Sequence, residues 1–437
     1  MTNLLVSDKK GRIFNIEYLE PTGMKAGHFF RLSPEELIKL PEASSLFFMP
    51  QRFPIAYDVT LKRFVTLKGG YFAVSAFLAP GFTATYNVAY EEHGSTRMLP
   101  LFSYAAVAFY KDAYYTAAVK VDTDRRHDPR FIDMNKVKEN VLGFRKIFAH
   151  NRLVRHLEEC ALSHYCPNAQ NFFLSRYEAP LPVSPLCNAS CAGCISYQPG
   201  GKCPVTQPRI KFVPTPEEIS EIALYHLNKV KDPIVSFGQG CEGEPLLAGE
   251  VVERAIRLIR KRSNRGIINI NTNASLPEIM ARLFDAGLDT MRVSLNSVRK
   301  QYYNRYYRPK GYVFSDVLDS IRMAKRRNKF VSINYLTMPG FTDSMEEVSA
   351  LKDFIARYRI NMIQWRNLNY DPLFYFRVMK TSVALQDIIG IKQIMITLKK
   401  YFPQLIMGYF NPMDNAEVLS GSLDRTSANS LPLYGQD

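Results

Sequence analysis

Cys187, Cys191 and Cys194 stand together in the segment Pro185-Leu-Cys187-Asn-Ala-Ser-Cys191-Ala-Gly-Cys194. Three thiolates at C-x3-C-x2-C can hold three irons of a cubane, because iron–sulfur clusters are bound by thiolates set close together on a turn. Three ligands instead of four leave one iron open to a chelating small molecule. Taken alone, the spacing also suits a zinc knot or part of a ferredoxin-like set. Three bare thiols in a loop would be an oxidation liability.

All seven cysteines fall between positions 160 and 241. The other four, Cys160, Cys166, Cys203 and Cys241, are enough for a second [4Fe–4S] cluster or another metal site. A rival zinc set is His156, Cys160, His164 and Cys166, against which stands the simpler reading of two ordinary histidines on a helix. Cys241 is a candidate catalytic residue that donates a hydrogen atom or holds a radical; a buried small side chain is the plainer alternative.

These residues need elements to position them. At 437 residues the chain is long enough for two or three domains. Residues 1–135 read as strands and turns, such as Ser45–Met49 and Phe72–Phe77, followed by a turn at Pro80–Gly81. Residues 136–179 read as a helical bridge, with Val137, Val141, Phe144, Ile147, Leu153 and Leu157 on one side. From Pro180 to residue 412 the pattern becomes strand, loop, helix, repeated. Strands begin near Leu181, Ile234, Ile267, Met291, Phe330 and Met362, with helices between them. Thr215, Pro216 and Glu218 make a helix start, and Gly287 a helix end. Residues 413–437 are a tail, flexible or packed, with little hydrophobic period.

The fold class is α/β. Strands covered by helices on both faces should be almost continuously apolar. Four of these alternate instead, with polar sets Asn269/Asn271/Asn273, Arg292/Ser294/Asn296, Ser332/Asn334 and Gln364/Arg366. A curved sheet with a wet concave side accounts for all four, and in such barrels chemistry sits at the C-terminal strand ends.

The cysteine segment, directly after the first strand, resembles the signature of the radical S-adenosylmethionine (SAM) superfamily. A second match is Phe237-Gly-Gln-Gly-Cys-Glu-Gly-Glu-Pro-Leu-Leu247, whose Glu242-Gly243-Glu244-Pro245 resembles that family's GGEP segment. The resemblance implies a (β/α)6 partial TIM barrel with a [4Fe–4S] cluster on Cys187, Cys191 and Cys194. It implies that Gly243 and Glu244 hold the methionine end of SAM, that Thr272 and Asn273 contact SAM, and that Ser294 and Asn296 reach the ribose. Arg366 is a further cofactor contact of the same kind, and Gln364 a weaker one. Two positions depart from the family pattern: Gly193 stands where many relatives carry an aromatic residue, and Glu242 where they carry glycine.

The activity this implies is reductive cleavage of SAM, then hydrogen abstraction from a substrate. The implied partners are SAM, a one-electron reductant such as flavodoxin or ferredoxin, and a peptide, RNA or small-molecule substrate. Group transfer to RNA or protein is the variant within enzymes, and a metal-stabilised RNA-binding module the alternative outside them. The formal charge of +15 suits an anionic partner. Its clusters, Arg254–Arg265 and Arg322–Lys329, lie opposite apolar stripes, as a solvated helix face would. The run Arg299–Lys310 mixes cations with tyrosines and suits either base stacking or packing. No apolar stretch is long enough to span a bilayer, and a cytoplasmic protein is expected.

Overall fold

The computed structural model describes residues 2–94, 97–199 and 203–412; the tail, 413–437, lies outside the described residues. Three antiparallel sheets fill the first 120 residues, built on strands such as Asn3–Ser7, Leu19–Lys25, Arg52–Asp58 and Phe72–Phe77. The turn at Pro80–Gly81 is present. Gly81 has φ +89°, and a Cβ there would meet the Asp122 carbonyl oxygen at 3.0 Å, so a side chain would be strained twice over.

The helical bridge consists of three helices: α1 (Met134–Ile147), α2 (Arg152–Leu162) and α3 (Pro167–Phe173). The break comes at Asn151, whose side chain caps α2 by accepting from the Val154 N–H. Cys166 takes the residue before α3, with Pro167 in its first turn. Val137, Val141, Phe144, Leu153 and Leu157 are buried in the main core, so these helices pack on the barrel, but Ile147, expected on the same face, sits at the end of α1 and is 60% exposed.

The second half of the chain carries a seven-stranded parallel sheet. Its strands, in order, are Glu178–Pro180, Ile234–Phe237, Ile267–Thr272, Thr290–Leu295, Phe330–Thr337, Met362–Asn367 and Ile406–Gly408. Outside it lie α4 (Pro216–Lys229), α5 (Gly249–Arg262), α6 (Pro277–Ala286), α7 (Lys300–Tyr307), α8 (Phe314–Arg326), α9 (Met345–Tyr358), α10 (Pro372–Met379) and α11 (Ile391–Tyr401). The capping box of Thr215 and Glu218 starts α4, and Gly287 at φ +113° ends α6. The fold is a partial TIM barrel, with one short strand beyond the six expected from sequence.

The open seam is bridged by side chains. Asn411, just past the last strand, donates to Glu178 on the first at 2.9 Å. Arg126 donates to the Asn411 carbonyl at 3.1 Å, and its guanidinium lies 3.8 Å from Glu178. The N-terminal sheets dock at the C-terminal ends of the fifth and sixth strands. There Asp371, fully buried, accepts from Tyr90 Oη at 3.0 Å and Leu99 N at 3.1 Å and faces Arg52 at 3.4 Å. Thr83 donates to the Trp365 carbonyl, and Asn367 accepts from Ala84 N. These contacts hold the N-terminal part over the barrel mouth.

The basic helices are partly neutralised by near neighbours. Arg257 pairs with Glu253, Arg260 with Asp289, Arg322 with Asp319 and Arg327 with Asp285. In the 299–310 run, Arg299 pairs with Glu346 and Glu347, and Tyr302, Tyr303, Tyr306 and Tyr307 are buried. That run packs the core and offers no stacking surface. No helix of the described residues is long and apolar enough to cross a membrane.

Candidate active site

A cavity of about 380 Å³ opens at the C-terminal ends of the barrel strands. Cys187, Cys191 and Cys194 line it together with Gly243, Glu244, Thr272, Asn273, Arg292, Ser294, Asn334 and Arg366. The polar alternation along the strands is what brings these side chains inward. Deeper positions form a bonded layer beneath them: Asn269 donates to Ser236 Oγ at 3.1 Å and to Asn271 at 2.9 Å, and accepts from Thr290.

The cysteine loop is held from two sides. On one, Ser190 N and Ala192 N donate to the carbonyls of Tyr307 and Tyr306, both at 2.9 Å. On the other, Gly243 N donates to Ser184 O at 2.6 Å and Glu244 N to Leu186 O at 2.8 Å. A Cβ on Gly243 would fall 1.9 Å from the Leu186 carbonyl oxygen, so only glycine lets the two turns lie together. Gly193 is restricted in the same way: its Cβ would meet Tyr306 Oη at 2.7 Å. The room an aromatic side chain would need beside the third cysteine is thus partly filled from α7.

Glu242, the departure from the expected glycine, has a clear task. Its carboxylate accepts from Val183 N at 2.8 Å, Ser184 N at 3.1 Å and Gln239 N at 2.6 Å, tying the exit of the first strand to that of the second. Glu244 accepts from Thr272 Oγ1, from Asn273 N at 2.8 Å and from Leu246 N at 3.1 Å. Burial pushes both carboxyl groups up to about 7 against those hydrogen bonds. Glu244 therefore fixes the Thr272-Asn273 turn while still lining the cavity.

The three thiols fit a multi-metal group better than a single ion. Among the described residues, the group whose donor atoms all lie within 4.8 Å of one another is His156, Cys160 and Cys241, not the three loop cysteines. Thiolates around one zinc would lie ~3.8 Å apart at Zn–S distances of ~2.3 Å, so the wider spread suits a cubane. Burial pushes the Cys187 thiol up to about 11, with Glu244 adding to it, and raises Cys191 well above the ordinary thiol range, with Cys194 and Cys187 adding to it. Ionising them together calls for cationic charge in their midst, which bound irons supply. Arg209 is the nearby protein cation, donating to Cys194 Sγ at 3.5 Å and to Ser196 Oγ at 3.0 Å. It sits in an irregular loop without period, so nothing in the sequence marked it.

A second group of cations occupies another part of the cavity. Burial and the neighbouring Arg366 push the Arg292 guanidinium down to about 9. Arg292 donates to Gln364 Oε1 at 3.0 Å, and Arg366 stacks 3.9 Å over the Tyr409 ring. The Nε atoms of both arginines are buried without a partner. His127, also on the cavity wall, is pushed down to about 3 by burial and by Arg366 and Arg126, and is neutral at working pH.

Other expected residues lie elsewhere. Asn296 falls one residue past the end of its strand, where the alternation lapses; it is fully buried, donates to Tyr375 Oη at 3.2 Å and does not line the cavity. Cys241 turns its thiol away from the cavity toward Cys160, so the geometry gives no support to a radical role. Of the four remaining cysteines, Cys160 and Cys241 come together with His156, whereas Cys166 and Cys203 lie outside that group. Cys203 faces the N-terminal part, with Sγ 3.9 Å from the Leu99 carbonyl oxygen. His164 lies 4.0 Å from Glu159 and is outside the group formed by His156, Cys160 and Cys241.

Residues 181–351 match the radical SAM superfamily. GTP 3′,8-cyclase of Lactiplantibacillus plantarum is 26% identical over 245 residues, covering 54% of this chain and 67% of that protein. The probable GTP 3′,8-cyclase of Methanococcus aeolicus is 27% identical over 254 residues, 55% of this chain and 78% of that one. Molybdenum cofactor biosynthesis protein 1 of Mus musculus is 27% identical over 220 residues, half of this chain but 31% of its own length. Among solved structures, the FeFe-hydrogenase maturase HydG from Carboxydothermus hydrogenoformans overlays with a TM-score of 0.36 at 14% identity, covering 62% of this chain and 70% of that one. Residues 181–351 of this chain are thus a radical SAM domain. The protein is an enzyme whose cofactors are a [4Fe–4S] cluster and SAM.

Proposed function

We propose that Cys187, Cys191 and Cys194 hold the cluster and that the substrate carries an acidic group received by Arg292 and Arg366. When bound, cluster and SAM supply a 5′-deoxyadenosyl radical able to take hydrogen from an unreactive C–H bond. The protein positions and shields that chemistry. Gly243 presents backbone to the methionine end, while Glu244 fixes Thr272 and Asn273 beside it. Ser294 remains the ribose contact, because Asn296 is turned away.

The observation that carries the substrate reading is the pair of buried guanidinium Nε atoms without partners on the cavity wall. Two like charges close together, with Glu178 the acid that acts on Arg292, leave an excess of positive charge. An anion offsets it, and guanidinium forks suit carboxylate or phosphate. Arg366, expected from sequence to contact SAM, is reassigned to this pair. It acts on Arg292 and His127, whereas the cation that acts on the cluster thiols is Arg209. The relatives named as GTP 3′,8-cyclases make a purine nucleoside triphosphate the first anionic substrate to try. The N-terminal residues 1–135 cover the bound substrate, and 136–179 bridge to the core. Reduced thiols and an oxygen-sensitive cluster suit the cytoplasm, with a flavodoxin or ferredoxin as electron donor.

Reconstituted enzyme offered GTP, guanosine and neutral peptides should release more 5′-deoxyadenosine with the anion than with the others. Arg292→Met should weaken that response by roughly 10- to 100-fold in KM, the worth of a charge-assisted hydrogen bond. Stimulation by neutral compounds alone would contradict the reading.

A further inference from the structure

We propose that His156, Cys160 and Cys241 form a second, structural metal site that takes one zinc ion; Cys166 lies nearby but outside this close group, and its thiol would have to move in to supply a fourth ligand. His156 and Cys160 are four residues apart on α2 and so share one face. Cys160 Sγ lies 3.5 Å from His156 Nε2, and Cys241 Sγ joins them with all three donor atoms within 4.8 Å. Such proximity matches one tetrahedral ion: ligands at ~2.3 Å for sulfur and ~2.0 Å for nitrogen need to draw in only slightly. Cys160 and Cys241 are 2% and 3% exposed and His156 is half-buried, so both thiols are shut off from solvent, as structural zinc ligands are.

Two further observations point the same way. Cys166 is brought back toward Cys160 by the bond from its N–H to the Cys160 carbonyl at 2.9 Å, and its side chain makes no cap to α3. Gln207 reaches toward the Cys160 and Cys166 thiols, and its buried Nε2 has no acceptor at full hydrogen-bond geometry. Thiolates on a metal would accept from that amide, the usual second layer around such a site.

The ion would join parts of the chain far apart in sequence. The α2–α3 pair would be fastened to the turn that continues into Glu242, Gly243 and Glu244. The Cys241 carbonyl also accepts from Ile210 N at 2.8 Å, which brings in the loop carrying Arg209. The site thus stiffens the SAM-facing turn from behind without touching the cavity.

The test measures metal directly and so is independent of SAM cleavage. In full-length protein with Cys187, Cys191 and Cys194 all replaced by serine, elemental analysis should find one zinc per chain. Adding His156→Ala or Cys241→Ser should lower that content at least tenfold. Should those variants fold poorly, zinc-edge absorption on the wild-type protein should show a mixed sulfur and nitrogen shell. Zinc content below a tenth per chain, a shell without sulfur, or a Cys160–Cys241 disulfide in protein isolated without oxygen would each overturn the proposal.

Discussion

The two sulfur groups on either side of the Cys241–Glu244 turn are built on opposite plans. Cys187, Cys191 and Cys194 come from one continuous loop, are partly exposed, spread apart and look into a cavity lined by charge. Cys160 and Cys241 come from segments distant in sequence, are buried and crowd together with His156. Openness is what a reacting centre needs, since a small molecule must reach the metal. Closure is what a fastening needs, since nothing should displace the ligands. Glu242 lies between the two groups, next to Cys241 in the chain and bonded to the backbone that leads to Cys187.

The largest effect should come from exchanging which group is broken. Cys187→Ser should remove the iron and abolish SAM cleavage while leaving zinc in place, and Cys241→Ser should do the reverse for metal content. Loss of both metals from either variant would mean that the groups are not separate. Next in size is Gly243→Ala. Its Cβ would overlap the Leu186 carbonyl, a backbone atom that cannot swing aside. A cost of ~3 kcal/mol in a denaturant titration, with lower iron occupancy, is expected.

Acid sensitivity should follow from His226, outside both groups, which sharpens the comparison by giving a stability change that neither metal explains. Burial pushes this side chain, bonded to the Tyr177 carbonyl, down to about 4. The unfolded chain binds the proton more readily, so its contribution is complete above pH ~6.5 and is lost as pH falls toward 4. At pH 5 the loss is roughly 2 kcal/mol, measurable by comparing wild type with His226→Gln across pH. An unchanged pH slope in the variant would assign the acid loss elsewhere. Smallest is Glu242→Gln, which gives Gln239 N a donor to face where it had an acceptor. About 1–2 kcal/mol of destabilisation is expected, with iron and zinc content falling together.

Much of the open group was legible because its signals are local. C-x3-C-x2-C lies in one short segment, and the period-two alternation of Asn271/Asn273, Arg292/Ser294 and Arg366 showed which strand faces turn inward. Alternation does not bind the residue past a strand's end: Asn273 and Asn296 both stand there, and Asn273 lines the cavity while Asn296 lies outside it. The closed group was only half legible. Cys160, Cys166, Cys203 and Cys241 suggested a site, but topology, not spacing, brings Cys160 and Cys241 to His156 and leaves Cys166, Cys203 and His164 outside the close group. The final strand, Ile406–Gly408, is too short to leave a pattern, and the Asn411–Glu178 bridge that closes the seam spans most of the barrel sequence. Arg292 and Arg366 were readable as lumen-facing, but the unpartnered Nε atom of each appears only in three dimensions.

The most direct test of the central claim is anaerobic incubation of the iron-reconstituted wild-type protein with SAM and a strong one-electron reductant. Methionine and 5′-deoxyadenosine should form in equal amounts, and neither should form without reductant. Intact SAM after prolonged incubation with a protein carrying its full iron content would contradict the account.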